Sequence, residues 1–451
     1  MISLSDFSAP QDWILYSVLT VSGLLVYAAV CSVFRFRRIR KTRAQYGFHD
    51  RASLGHMTNE QAHHIVKQLA SLEAPTFYDL ALRMALFRTY AIEDIAKLLV
   101  ASSDLNRQQH APKRHVTANL IIFTRLCSPS YLVMKIPVLY SPGKNTTLKF
   151  KRCRPKPISF IKFAPNSEYL HKAVARMNYL HSPYQKNDRI TNRDLLYVLW
   201  ASMSEPVRFM RLYEWRALTD MEVAALGTLW KYIGDMMQIE YKAELGQDQW
   251  RDGIDFIDQV TEWAYRYEDV AMKRLPDMQK LGDVLLDLLL TSYPAAVRPM
   301  AYQGVLVLMG GRLRHAFSLP EPSVFYSALV YSLLFIRKSV VRYLMLPRVF
   351  RVEYLSEPDP QSGRLHNQHY LKEPWYTRVS LWTRWGPEAL LVRATGGQVP
   401  GDGGKEMLPE GFFFTDLGPR PKMGKGIEDT QRWEQVVKTT VSPSACPFGM
   451  K

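Results

Sequence analysis

A histidine at the apolar edge of a helix, beside a Ser-Pro pair, is the strongest chemical signal in this chain. Leu170, Val174, Met177 and His181 recur at steps of four, three and four residues, so they share one helix face. Ser182-Pro183 is expected to end that helix and leave room beside the ring. An imidazole so placed can give one nitrogen to haem iron while a carbonyl or carboxylate holds its other N–H. It can equally be a core histidine bonded to a backbone carbonyl, and position alone favours that second reading. Asp255, Asp258 and Glu262 form another constellation, with spacing i, i+3 and i+7 on one helical face. They could hold a divalent cation, although a solvated acidic face is the commoner result of such spacing. His63 and His64 are adjacent, point apart on a helix, and read as surface residues. Phosphate-cradling glycine loops, HExxH and GxSxG are all absent.

The elements that must position these residues are helical. Thr58 and Gln61 form a capping box for a helix to Leu72. Further helices are expected over Tyr78–Thr89, Ala91–Leu99 and from Glu168 to the Ser-Pro pair. Thr191–Met203 is a strongly apolar helix that should be interrupted at Glu205-Pro206. Thr219 and Glu222 are a second capping box, opening a helix to about Gln238. Gly253–Met272, Met278–Leu290 and Pro299–Ala316 complete a helical middle. Ser323–Ile336 is apolar but only 14 residues long, short for a span, and reads as a core helix rather than one lying in a membrane interface. From Pro358 onward the chain is loop-rich.

Trp13–Phe34 is a run of 22 residues without a charge. As a helix it is about 33 Å long, enough for a hydrocarbon core of about 30 Å. Asp6 and Asp12 precede it, and six Lys and Arg residues follow between Arg35 and Arg43. A cleaved signal would carry its positive charge first, so the run reads as a membrane anchor with the large domain on the cytosolic side.

The net charge of +16 suggests nucleic acid until its distribution is traced. No Asp or Glu falls between Asp104 and Glu168, a stretch with a dozen Lys and Arg. That stretch and Arg35–Arg43 account for the whole excess, and no nucleic-acid-binding motif accompanies them. No nucleic-acid partner is therefore expected. Ser-Pro, Ser-Pro-Gly and Pro-Lys-Pro punctuate residues 120–163, which read as an irregular surface insertion or a retained intron. Four scattered cysteines form no disulfide framework and fit a reducing compartment.

Several ordered blocks resemble a known family. They are Ala85–Tyr90, Ala175–Gln185, Glu205–Phe209, Tyr213–Arg216 with Leu218–Asp220, Arg384–Pro387 and Val399–Asp402. The chain resembles the fungal ER-bound oxygenases of the mycophenolic acid pathway type (MpaB-like), related more distantly to rubber oxygenase (latex-clearing protein). The resemblance runs from about Thr58 to the end and includes an N-terminal anchor.

That resemblance implies an all-α fold with a globin-like helical catalytic domain behind a single N-terminal transmembrane helix. It also implies haem b, with His181 as the axial ligand of the iron, and molecular oxygen as co-substrate. The stretch Lys113–Thr117 is similar to the segment carrying the distal Arg and Thr of the rubber oxygenase, which suggests Arg114 and Thr117 as the catalytic pair. The Asp-Thr pair of that pattern is not intact here. The implied reaction cleaves a carbon–carbon double bond in an apolar prenylated or terpenoid molecule of secondary metabolism, beside membrane lipid at the endoplasmic reticulum. A catalytically inactive isoprenoid-binding relative and a carboxylate-metal enzyme using Asp255, Asp258 and Glu262 are the alternatives. The expected organisation is a short lumenal N-terminus (1–12), the transmembrane helix (13–34) and a basic juxtamembrane linker (35–57). A helical catalytic domain (58–350) with the insertion near 120–163 and a loop-rich C-terminal extension (351–451) follow.

Overall fold

A computed structural model describes residues 10–102, 158–291, 293, 297–370, 373–418 and 422–448. Arg114, Thr117 and residues 120–157 of the insertion lie outside the described residues. The protein is all-α. Among the described residues there is no β-strand, only the isolated bridges Leu355–Asn367 and Leu365–Phe412. The helices that frame the site are α1 (Pro10–Tyr46), α2 (Asn59–Gln68), α3 (Pro75–Thr89), α4 (Glu168–Gln185) and α5 (Asn192–Tyr213). They continue with α6 (Asp220–Met236), α7 (Gly253–Ala271), α8 (Arg298–Met309), α9 (Val324–Ser339) and α10 (Ile427–Thr440).

α3 is the central helix. Every residue in it is buried except Thr76, Leu86 and Arg88, which are half-buried, so it is apolar nearly all round. Its main partner is α5, and α5 in turn packs on α6 and α7, while α6 also covers α2. Both expected capping boxes form: Gln61 and Thr58 bond reciprocally at 3.3 and 3.0 Å, and Glu222 accepts from the Thr219 amide at 2.9 Å. α6 and the start of α7 meet backbone to backbone. A Cβ on Gly227 would sit 2.0 Å from the Gly253 carbonyl oxygen. Gly227→Ala must therefore push the two helices apart, and a loss of about 3 kcal/mol is expected, read as a lower urea or thermal midpoint. An unchanged midpoint would show that this crossing yields freely.

Several expectations need correcting. α5 runs unbroken through Pro206 and α4 through Pro183. Each proline removes one N–H; the turns around Pro206 are held by burial, whereas Pro183 sits two residues before the helix end, where the Lys186 amide still reaches Ser182 at 3.0 Å. The insertion ends earlier than 163, because Phe160, Ile161 and Phe163 are core residues around the short helix Ile158–Lys162. Residues 35–46, expected as linker, continue α1 without a break. Their basic side chains grip the body: Arg35 is buried and donates to the Met345 carbonyl at 2.8 Å, and Arg38 pairs with Glu73. Ser323–Ile336 is not a core helix, for no residue of α9 is buried. Finally, residues beyond 351 do not stand apart, since one core cluster runs from Phe48 to Phe448.

Candidate cofactor site and the ion network beside it

His181 lies near the C-terminal end of α4, where burial gives way to exposure. Leu170 and Val174 are fully buried, and Met177 and His181 are half-buried. The stripe expected from the spacing is real, and its imidazole sits at the accessible end. Asn178 fixes this part of α4 by donating to the Met236 carbonyl at the end of α6, at 3.0 Å.

A residue that the periodicity hid does more to hold α4. Arg176 is completely buried and, among the described residues, has no carboxylate partner. Its guanidinium donates to the carbonyls of Leu417, Lys425 and Lys422 at 2.9, 2.7 and 2.7 Å. Burial lowers its pKa from the ordinary arginine value, against raising contributions from Tyr179 and Asp416. The loop it grips leads into α10, which lies along α4. Gly426, just before α10, has φ +68°, and a Cβ there would strike the Tyr179 ring at 2.0 Å. No other residue type fits that approach.

The second missed feature is a buried ion network joining α3, α5 and α7. Arg88 donates two bonds to Glu268 at 2.6 and 2.9 Å and one to Glu205 at 3.1 Å. Glu268 also accepts from Tyr197 at 2.6 Å and Arg312 at 2.8 Å, while Arg208 donates to Glu205 at 2.9 and 2.7 Å. The Arg88 guanidinium lies 5.0 Å over the Trp200 ring. Burial opposes the charge on Arg88, but Tyr197 and the two carboxylates outweigh it and hold its pKa above the ordinary value. Burial beside Glu268 pushes Tyr197 far up, so its phenol stays a donor.

The acidic trio does not converge. Asp255 accepts from the Arg251 amide at 3.1 Å, Glu262 faces Arg266 at 3.8 Å, and Asp258 is exposed. Among the described residues no three His, Cys, Asp or Glu side chains lie close enough to hold a metal ion, so the carboxylate-metal reading is set aside. The reading of His63 as surface is also wrong. It is buried, with Nε2 2.9 Å from the Ile161 carbonyl, while the half-buried His64 ring meets the Tyr46 hydroxyl at 3.1 Å. Burial lowers the His63 pKa to about 4, so the neutral ring is the native form. The unfolded chain then binds the extra proton, and stability should fall as pH drops from about 6.5 to 4, by about 3 kcal/mol in all. Urea midpoints measured across that range should show the slope, and His63→Gln should flatten it. A cleft of about 330 Å³ lies between Tyr169, Phe412–Phe414 and Ile427–Glu434. It is at the opposite end of α4 from His181, about 18 Å along the helix.

No family model matches the chain. It is 31% identical over 431 residues to the ER-bound oxygenase mpaB' of Penicillium brevicompactum, covering 95% of this chain and 93% of that protein. The chain belongs to the MpaB-like family of ER-bound oxygenases. ER-bound oxygenase mpaB of the same organism is 29% identical over 401 residues, covering 88% of this chain and 87% of its own length. ER-bound oxygenase mpaB of Penicillium roqueforti (strain FM164) is 30% identical over 319 residues, covering 70% of this chain and 93% of its own. Two pairs of the blocks that carry the MpaB-like resemblance are joined in space. Ala85–Tyr90 and Glu205–Phe209 share the Arg88 network. Arg384 of one C-terminal block donates to Pro400 and Asp402 of the other.

Proposed function

We propose that this oxygenase holds haem b through His181 and uses dioxygen to cleave a carbon–carbon double bond in a prenyl or terpenoid side chain. The observation that carries the reading is the half-buried imidazole at the end of an apolar stripe, in a chain whose relatives are ER-bound oxygenases. The donor set suits the group: a single imidazole on a rigid helix is what the proximal side of a b-type haem takes. Bound there, haem would supply the activation of dioxygen, which no side chain can provide.

The chain's own residues do the rest. α4 orients the His181 ring, with Arg176 and Asn178 preventing the helix from shifting along its axis. Arg114 would donate a hydrogen bond into the distal pocket, and Thr117 would line it. α1 enters the endoplasmic reticulum membrane with the body on the cytosolic side, a reading supported by Asp12 before the apolar run and the basic residues after it. An isoprenoid partitions into lipid, so a body fixed to that helix meets its substrate at raised local concentration.

Absorption spectra of the purified protein test this reading. Wild type should show a Soret band that His181→Ala loses or strongly shifts. A well-folded wild type without haem would remove the mechanism, and an isoprenoid-binding relative without oxygenase activity would take its place.

A further inference from the structure

We propose that α9 is a second membrane element: a helix lying in the bilayer plane, its outer face seated at the boundary between headgroups and hydrocarbon. The inference rests on reading α1 as the anchor and concerns a different part of the chain. From Val324 to Ile336 no residue carries a charge. Val324, Phe325 and Phe335 are 85%, 70% and 69% exposed, and Ala328, Tyr331 and Ser332 share their side of the helix. Such a contiguous apolar face on a body tied to a membrane has one natural occupant, lipid.

Its depth is set by contacts with α1. α9 passes into a π turn, Val340–Leu344, that packs on α1. The Tyr27 hydroxyl donates to the Leu344 carbonyl at 3.1 Å, and Arg35 donates to Met345 and Leu346 at 2.8 and 3.2 Å. Tyr27 lies about 10 Å inside the end of the charge-free run, and Arg35 is the first residue beyond it. The turn is therefore level with the zone where α1 leaves the hydrocarbon. Val349 and Phe350, a few residues beyond the turn, are also apolar and 82% and 86% exposed.

Val324–Leu344 is long and apolar enough to cross a membrane, but its packing argues against crossing. At one end the Ser323 amide bonds Gln303 at 3.0 Å, and Val330 lies against Gly304 of α8. At the other, Arg337 pairs with Glu214 at 2.7 Å and Lys338 reaches the Leu212 carbonyl at 3.2 Å. A helix clamped to the body at both ends has one side for lipid and no freedom to stand beside α1. The flanking charge agrees: no acid occurs between Glu321 and Glu353, while Arg337, Lys338, Arg342, Arg348 and Arg351 do. Arg337 and Lys338 are taken up by the clamps, and the exposed Arg351 beyond them suits anionic headgroups.

Depth-dependent quenching tests the proposal on the full chain in phosphatidylcholine–phosphatidylserine vesicles. A background with Cys31, Cys127, Cys153 and Cys446 changed to Ala would carry one fluorophore at Phe325→Cys, Phe335→Cys, Leu24→Cys or Glu428→Cys. Both α9 probes should lose emission to a spin label near the headgroup and far less to one near the acyl chain end. The Leu24→Cys probe should respond to the deep label, and the exposed Glu428→Cys probe to neither. Quenching at Leu24→Cys with none on α9 would overturn the proposal while leaving the anchor standing. A depth gradient from Phe325→Cys to Phe335→Cys reaching the deep label would overturn it in favour of a second span. No quenching at Leu24→Cys would remove the anchor reading, and this inference with it.

Discussion

Glu268→Ala is expected to lower stability by about 3–5 kcal/mol, the range for removing one partner from a buried ion network. The carboxylate is fully buried and accepts from Arg88, Tyr197 and Arg312 at once; without it the Tyr197 phenol loses its acceptor and Arg88 keeps only Glu205, while the half-exposed Arg312 still pairs with Asp269. The loss comes mainly from those uncompensated donors and only partly from the bonds themselves. Chemical unfolding of wild type, Glu268→Ala, Arg88→Met and the double variant would separate the contributions. The double variant should lose less than the sum, because removing Arg88 relieves part of the stranded charge. Strict additivity would mean that Arg88 and Glu268 do not stabilise each other, and that packing alone joins α3 to α7.

Arg176→Met should be equally damaging but more local. It leaves three buried carbonyls and the Thr430 hydroxyl without their shared donor, a cost of about 3–5 kcal/mol by analogy with other buried networks. The loop from Leu417 to Lys425 should open before the rest unfolds, so limited proteolysis should cut there first. Arg176→Lys should not restore it, since one ammonium cannot reach three divergent acceptors as a planar fork does. If the loop stays protected in Arg176→Met, the packing of α10 on α4 must be sufficient by itself.

What the sequence makes legible is local. A run without charge flanked by basic residues marks α1, and Thr58 with Gln61 marks the start of α2, because those signals act within a few residues. The stripe ending at His181 belongs to the same class. The ion network does not, since Arg88 and Glu268 are 180 positions apart and each reads singly as a solvated charge. His63 is illegible for a related reason: its buried ring is partnered by Ile161, 98 positions away. Pro206 does not break α5 because a proline reports a lost hydrogen bond but not how firmly the neighbouring turns are packed. α9 was misjudged in the opposite direction, for apolar composition cannot distinguish a core from a lipid surface.

The tie between the two ends of the body also has a bearing on synthesis. Asn59 takes its backbone partner from Ala445 and its side-chain partner from Ser442, across 383 positions, and Cys446 reaches the Gly55 carbonyl. At roughly 5–20 residues per second, the ribosome delivers Ser442 some 20–75 s after Asn59. By then α1 has long been available for insertion, so with α1 as the proposed anchor the nascent chain waits at the membrane with its core open. Its final seal arrives only when Ser442–Cys446 have been made. A stalled or prematurely stopped message would then leave a tethered, unclosed chain at the bilayer, exposed to quality control.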